Sequence, residues 1–346
     1  MTLKYLLCLL GMLLAVPLLA LTTLACILPI SISGIGYLFA GLLGAAGLIL
    51  APWVRHYRLF MASGLLLLIF IPGARIIMGE RSNLRMITLP QEKGTRWLSY
   101  IVDEQDGIIF GEALFHLIGG DSRSEHADLT SSLSAVYSEM RMDGAVFPSP
   151  VVSTYLNLQQ PANFDAIIIQ PQDKPEFAVV FLHGFMGNVT AQCWAIAQPV
   201  KELGGLTVCP STGWQGQWWQ PKGQDILQNT FDYLHTQGIQ RIYVGGFSNG
   251  GFGLSRIASQ FKDEQGLSGL IFIDGFANGN AIKEIGLPVL IIQGTLDERV
   301  PPSIGRQFAE ELGDLGTYVE IDSDHFLIMK QPKQVQHALA EWLEDP

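Results

Sequence analysis

The chain has 346 residues, enough for one large domain or two ordinary ones, and 48% of them are hydrophobic. Four of its 21 basic residues and none of its 32 acidic residues precede residue 79, so the remainder carries a formal charge of −15 (17 basic against 32 acidic). That surplus excludes electrostatic binding of nucleic acid and repels anionic lipid.

From Tyr5 to Val54 there is no charged side chain, a run far longer than the roughly 20 apolar residues that cross a bilayer. It breaks at Ile30-Ser31-Ile32-Ser33-Gly34, predicting helices near 5–28 and 35–52, and a third follows near 59–74 after Arg55-His56-Tyr57-Arg58. Core helices so free of charge in tandem are rare, so residues 1–78 are expected to be a transmembrane region of three spans. Thr23-Leu24-Ala25-Cys26 faintly resembles a lipoprotein cleavage box but lacks the aliphatic residue at its start and is followed by more membrane-grade sequence, so no cleavage is expected there. Gly36, Ala40 and Gly44, spaced by four, suit close approach of a neighbouring helix. Two orientations are open: Lys4, Arg55 and Arg58 inside, or Arg75, Arg81 and Arg85 inside. The first helix usually sets the orientation, and Lys4 just before it favours an inner N-terminus with the C-terminal domain on the extracytoplasmic side.

Residues 79–149 read as a helical connector or cap, with pieces near 95–118 and 126–142 divided by Gly119-Gly120-Asp121-Ser122. Leu129, Leu133, Val136 and Met140 share one helical face. Beyond residue 150, short β-rich runs alternate with helix-length stretches. Val151–Leu156 and Ala166–Gln170 form a leading pair, and 178–182, 206–209, 241–245, 269–273, 289–292 and 318–321 follow, predicting eight strands. Runs such as Val179-Val180-Phe181-Leu182 suit strands buried on both faces, so the expected class is α/β with a mostly parallel sheet flanked by helices. Active sites in such sheets lie at the carboxyl ends of strands. Cys193 and Cys209 are either a disulfide or two buried thiols, and buried thiols are the reading adopted. No Cys or His spacing resembles a zinc site, and no metal or cofactor is expected.

Within the strand-rich region, Arg241-Ile-Tyr-Val-Gly leads into Gly246-Phe247-Ser248-Asn249-Gly250, the Gly-x-Ser-x-Gly pattern of a serine nucleophile on a strained strand-to-helix turn. A serine hydroxyl needs an imidazole to take its proton and a carboxylate to orient that imidazole. Asp297, in the turn Gly294-Thr295-Leu296-Asp297 after a strand, is the expected acid, with Asp274 after the preceding strand as its rival. His325 in Asp324-His325-Phe326 follows the last strand at the same edge and is the best-placed base of the seven histidines. His56 and His116 lie outside this region, His126 heads a helix, and His235 and His337 fall on helices.

With its elbow, acid turn and histidine loop in the order Ser, Asp, His, the segment from about 150 to 346 resembles the α/β-hydrolase superfamily. The resemblance implies an oxyanion hole at Phe181-Leu182-His183-Gly184-Phe185-Met186, formed by the backbone amides of Asn249 and of Phe185 or Met186, with His183 shaping the loop. Serine as nucleophile argues against the dehalogenase and epoxide hydrolase branches. The short link between the sixth and seventh strands leaves no room for a large lid there. Met186, Trp214, Trp218 and Trp219 are candidate walls of an acyl or leaving-group pocket, although indoles serve a core equally well.

The expectation is a multi-pass membrane serine hydrolase that acts on carboxylic esters of small-molecule or lipid-like acyl groups. Thioesterase or peptidase chemistry on the same three residues, or a hydrolase fold used only for binding, are the alternatives.

Overall fold

A computed structural model describes residues 3–79, 84–117, 128–144 and 146–346. The division at Gly119-Gly120-Asp121-Ser122, His126, and the side chain of His116 lie outside what it describes. The chain forms two compact units, one of residues 1–81 and 100–121 and the other of 82–99 and 122–346. The stretch read from sequence as one connector is therefore shared between them.

In the smaller unit, α1 (Leu3–Ala25), α2 (Ile32–Leu50) and α3 (Tyr57–Gly79) are each long and apolar enough to cross a membrane. They lie within a few residues of the expected spans, and α3 runs on to Gly79. Small residues set their spacing: a Cβ on Gly64 would stand 2.7 Å from the Ala40 carbonyl oxygen, so α2 and α3 pack backbone to backbone as the Gly36/Ala40/Gly44 pattern suggests. At the end of α3 the buried Arg75 is fully engaged. It donates to the Tyr100 carbonyl at 2.7 Å, the Val102 carbonyl at 3.2 Å and Ser33 Oγ at 2.8 Å, and pairs with Asp103 at 3.1 Å. Asp106, on α4 (Glu104–Leu117), accepts from Ser31 N at 2.7 Å and Ser31 Oγ at 2.6 Å. Buried charges persist only when they are paired in this way.

The larger unit is built on an eight-stranded sheet. Its strands are β1 (Arg85–Leu89), β2 (Phe164–Ile169), β3 (Phe177–Leu182), β4 (Gly205–Pro210), β5 (Ile242–Phe247), β6 (Leu267–Ile273), β7 (Val289–Gly294) and β8 (Gly316–Ile321). The order is β1-β2-β4-β3-β5-β6-β7-β8, antiparallel at β1–β2 and β2–β4 and parallel elsewhere. Every residue of β2, β3, β4, β5 and β7 is buried, as continuous apolar runs predict for strands covered on both faces.

Between and after these strands come α5 (Leu129–Asp143), α6 (Val151–Tyr155), α7 (Thr190–Glu202), α8 (Pro221–Thr236), α9 (Asn249–Ile257), α10 (Gly279–Lys283), α11 (Pro302–Leu312), α12 (Leu327–Lys330) and α13 (Pro332–Glu344). Phe231 of α8, Leu254 and Ile257 of α9, and Phe308 and Leu312 of α11 share one core with Val180, Val244, Phe272 and Ile291 of the sheet. Each fully buried side chain of this size contributes about 2–3 kcal/mol of transfer free energy. Tyr243 turns the other way and meets Trp342 of α13 edge to face at 5.6 Å. The face of α5 read from sequence is buried through Leu129, Leu133, Val136 and Met140, and the helix packs on α7 and α12.

Three sequence expectations are corrected. Val151–Leu156 is not a strand but the short helix α6, whose Ser153 and Thr154 are buried and whose first N–H is held by Ser149 Oγ at 3.3 Å; packing overrides the β propensity of Val-Val-Ser-Thr-Tyr. The strand that completes the eight is β1, inside the stretch read as helical connector; Arg96 ties this stretch to β2 through Asp165 at 3.1 Å. Cys193 on α7 and Cys209 on β4 form a disulfide rather than two thiols, their Cα atoms 6.1 Å apart because helix and strand lie side by side.

Candidate active site

Ser248 stands between β5 and α9 with φ 53° and ψ −120°, a conformation that non-glycine residues rarely adopt. Close packing holds it there. Its N–H donates to the Ile273 carbonyl at 2.9 Å, and Phe252 N donates back to its own carbonyl at 2.9 Å. A Cβ on Gly250 would overlap the Leu182 carbonyl, and one on Gly275 would overlap that of Ser248, so both positions admit only glycine. The strain is therefore imposed by neighbours that fit nowhere else, and it aims the hydroxyl off the end of the sheet.

His325 and Asp297 converge on that hydroxyl. Thr295 N donates to the Ile321 carbonyl at 2.9 Å and Leu296 N to the Ser323 carbonyl at 3.0 Å, which ties the turn after β7 to the loop after β8. His325 Nε2 lies 2.9 Å from Ser248 Oγ, and its Nδ1 lies 2.8 Å from Asp297 Oδ2. The other oxygen of Asp297 accepts Arg299 N at 2.8 Å and Val300 N at 2.9 Å. A carboxylate fixed by two backbone donors selects the tautomer with the proton on Nδ1, which leaves Nε2 as the acceptor for the serine hydroxyl. Asp297 and His325 are buried while Ser248 remains partly accessible, so the hydroxyl is open to solvent and the carboxylate is not.

The rival acid, Asp274, is wholly buried and accepts Gly294 N at 2.8 Å. It makes no hydrogen bond to His325 among the described residues. His183, buried at the end of β3, donates from Nδ1 to the Gly184 carbonyl at 2.8 Å and accepts Thr212 N at Nε2 at 3.1 Å, while its own carbonyl accepts Trp218 Nε1 at 2.9 Å. Burial pulls its imidazole down to about 4, so it stays neutral and braces the loop.

Around Ser248 the chain presents amides and an apolar rim. Ideal Cβ geometry at Gly184 places that atom 3.0 Å from Ser248 Cβ, so the Gly184-Phe185-Met186 loop lies against the serine. The Asn249 side chain donates to the Gln215 carbonyl at 2.9 Å, joining the start of α9 to the loop that carries Trp214. Phe185, Met186 and Trp214 are substantially exposed although large and apolar, and Phe185 meets Trp214 edge to face at 5.1 Å. Tyr155 of α6 stacks on Trp214 at 6.4 Å, and its hydroxyl donates to the Met186 carbonyl at 3.3 Å. Tyr155 went unnoticed in the sequence because its segment reads as a strand.

Two of the expected wall residues stand elsewhere. Trp218 is fully buried in the core cluster, where its indole N–H donates to the His183 carbonyl. Trp219 stands edge to face on Phe252 at 5.4 Å and packs against the same core. Both indoles serve packing, as large amphipathic rings do when their N–H or edge finds a partner inside.

No family model matches the chain, and no curated protein does. Solved structures similar to it include Est1E from Butyrivibrio proteoclasticus, 18% identical with a TM-score of 0.46 over 53% of this chain and 94% of that one. An α/β serine hydrolase homologue from Coxiella burnetii is 19% identical with a TM-score of 0.44 over 52% and 92%. A thermophilic esterase from Thermogutta terrifontis is 18% identical with a TM-score of 0.43 over 53% and 94%. The mostly parallel sheet, its helices on both faces and the serine on the turn after β5 give the larger unit the α/β-hydrolase fold, preceded in sequence by three helices long and apolar enough to span a membrane.

Proposed function

We propose that the chain is a membrane-anchored serine hydrolase that cleaves carboxylic esters through an acyl-enzyme. The observation that carries this reading is the unbroken relay from Asp297 through His325 to Ser248, at 2.8 and 2.9 Å. Ser248 Oγ attacks the ester carbonyl as His325 Nε2 takes its proton. His325 then returns that proton to the leaving alkoxide, and a water activated by the same nitrogen hydrolyses the acyl-serine. Asp297 orients the imidazole and matches its transient positive charge. The amides of Asn249 and Phe185 receive the oxyanion; neither donates to another acceptor among the described residues. A preorganised donor of this kind is worth about 3–4 kcal/mol. Met186, Trp214 and Phe185, with Tyr155 behind them, offer an open apolar platform for the acyl or alcohol part of the substrate.

The disulfide between Cys193 and Cys209 suits an oxidising compartment. Three spans with Lys4, Arg55 and Arg58 inside would deliver the hydrolase domain to such a compartment, on the extracytoplasmic side.

The test is turnover of a panel of chromogenic esters, thioesters and aminoacyl amides by the full chain in detergent. Esters should be cleaved fastest, and Ser248→Ala should lower kcat by about 10⁴-fold or more. Equal turnover by the Ala variant would remove Ser248 from the mechanism, and preference for thioesters or amides would replace the substrate class.

A further inference from the structure

Asp274 closes β6 with three features that ending a strand does not require. Its backbone is left-handed, φ 44°, where a non-glycine residue is uncommon. Its side chain is wholly buried, and while Oδ1 accepts Gly294 N at 2.8 Å, Oδ2 is sealed from solvent with no hydrogen-bond partner among the described residues. Carboxyl oxygens of Asp274 and Asp297 and a ring nitrogen of His325 all lie within 4.8 Å of one another.

Buried polar atoms are almost always paired, and an exception beside reacting groups points to a function. Two carboxyls this close in a dry environment do not both ionise. Asp297 has its charge matched by two backbone N–H groups and the imidazole, whereas Asp274 has a single backbone donor. Burial first, and the neighbouring Asp297 second, push the Asp274 carboxyl well above the usual carboxylate range. Among the other groups that face it, Asp324 acts in the same direction and is itself engaged by Lys330, and Tyr318 looks on from β8. The residue is coupled to both ends of the relay: its Oδ1 holds the first amide of the acid turn, and the adjacent Gly275 lies against the Ser248 carbonyl.

We propose that Asp274 is a positioning residue that keeps its proton, its neutral carboxyl bracing the Gly294–Asp297 turn and presenting an O–H to the Asp297–His325 pair, so that one negative charge and not two faces the imidazole. The inference rests on the serine-hydrolase reading of this site. Its test measures kcat, KM and the pH dependence of kcat on a chromogenic ester for the full chain carrying Asp274→Ala or Asp274→Asn. The Ala variant should lose roughly 10- to 100-fold in kcat with KM unchanged, the loss expected when an oriented group drifts by about 1 Å. The Asn variant, a neutral isostere with a donor, should recover kcat to within about 3-fold and leave the acid limb of the profile where it is.

The proposal is overturned if Ala keeps the wild-type kcat, if Asn falls as far as Asp297→Asn (about 10⁴-fold), or if Asn moves the acid limb down by about one pH unit or more. Such a shift would mean that a negative charge had been removed from beside His325. Should the Ala variant fail to fold, the recovery and the acid limb of the Asn variant decide alone. A wild type that turns over no ester would overturn the serine-hydrolase reading and the Asp274 inference with it, whereas failure of the variants alone would leave that reading standing.

Discussion

His183 gives the larger unit a specific sensitivity to acid. Its imidazole is 1% exposed, donates to the Gly184 carbonyl and accepts Thr212 N, so a second ring proton would abolish the acceptor and charge a dry site. Its ordinary value is 6.5, and burial lowers it to about 4 in the folded chain. Because the folded value is the lower one, the unfolded chain takes up a proton between these limits that the folded chain refuses. The stabilisation is complete above pH 6.5 and is lost as the pH falls towards 4. The difference of about 2.5 units corresponds to about 3 kcal/mol. Other groups also respond to acid, so the informative quantity is the gap between wild type and His183→Gln. Urea unfolding of the full chain in detergent, followed by tryptophan fluorescence, reads it directly, since all seven tryptophans but Trp53 lie in the larger unit. The gap should narrow by about 3 kcal/mol between pH 7 and pH 4. A constant gap would refute the neutral, buried assignment and with it the bracing role of this residue in the Gly184–Met186 loop.

Three further outcomes follow from the packing. Gly275→Ala forces a methyl group into the Ser248 carbonyl, so it should cost about 1–3 kcal/mol in thermal unfolding and reduce esterase kcat, and a stable, fully active variant would show that the turn yields freely. Phe185→Ala and Trp214→Ala should raise KM more for long-chain than for acetyl esters, by roughly 10-fold for each ring removed, and an equal effect on both would remove the rim from substrate binding. Arg75→Met should destabilise the smaller unit by about 3–5 kcal/mol, measured as loss of protease resistance in micelles, because four oxygens lose their shared donor; unchanged resistance would contradict the burial of that cluster.

Legibility in the sequence followed the strength of the local constraint. The strands from β3 to β7 could be placed because burial on both faces writes unbroken apolar runs such as Phe177–Leu182 and Val289–Ile292. Ser248 and Asp297 could be singled out because each follows such a run, and His325 because it follows the half-exposed last strand, β8, at the same edge; the fold brings the three ends together. What escaped depends on partners distant in sequence. β1 is short, polar at its first residue, and is a strand only because β2 pairs with it. α6 carries β-branched residues that its buried surroundings bend into a helical turn. The Cys193–Cys209 bond requires knowing that α7 lies on β4. Trp218 and Trp214 are four residues apart, yet one fills the core and the other faces solvent, a difference set by the turn at Gly216 rather than by the residues themselves. Asp274 was visible only as a competing acid, since its unpartnered oxygen and its distance to Asp297 exist only in three dimensions.

The most direct measurement of the central claim is mass-spectrometric mapping of a fluorophosphonate probe on the folded full chain. A working Ser248–His325–Asp297 relay should give one adduct, on Ser248, lost in Ser248→Ala and much slowed in His325→Ala. An unreactive wild type alongside a reactive control hydrolase, or an adduct on another serine, would contradict it.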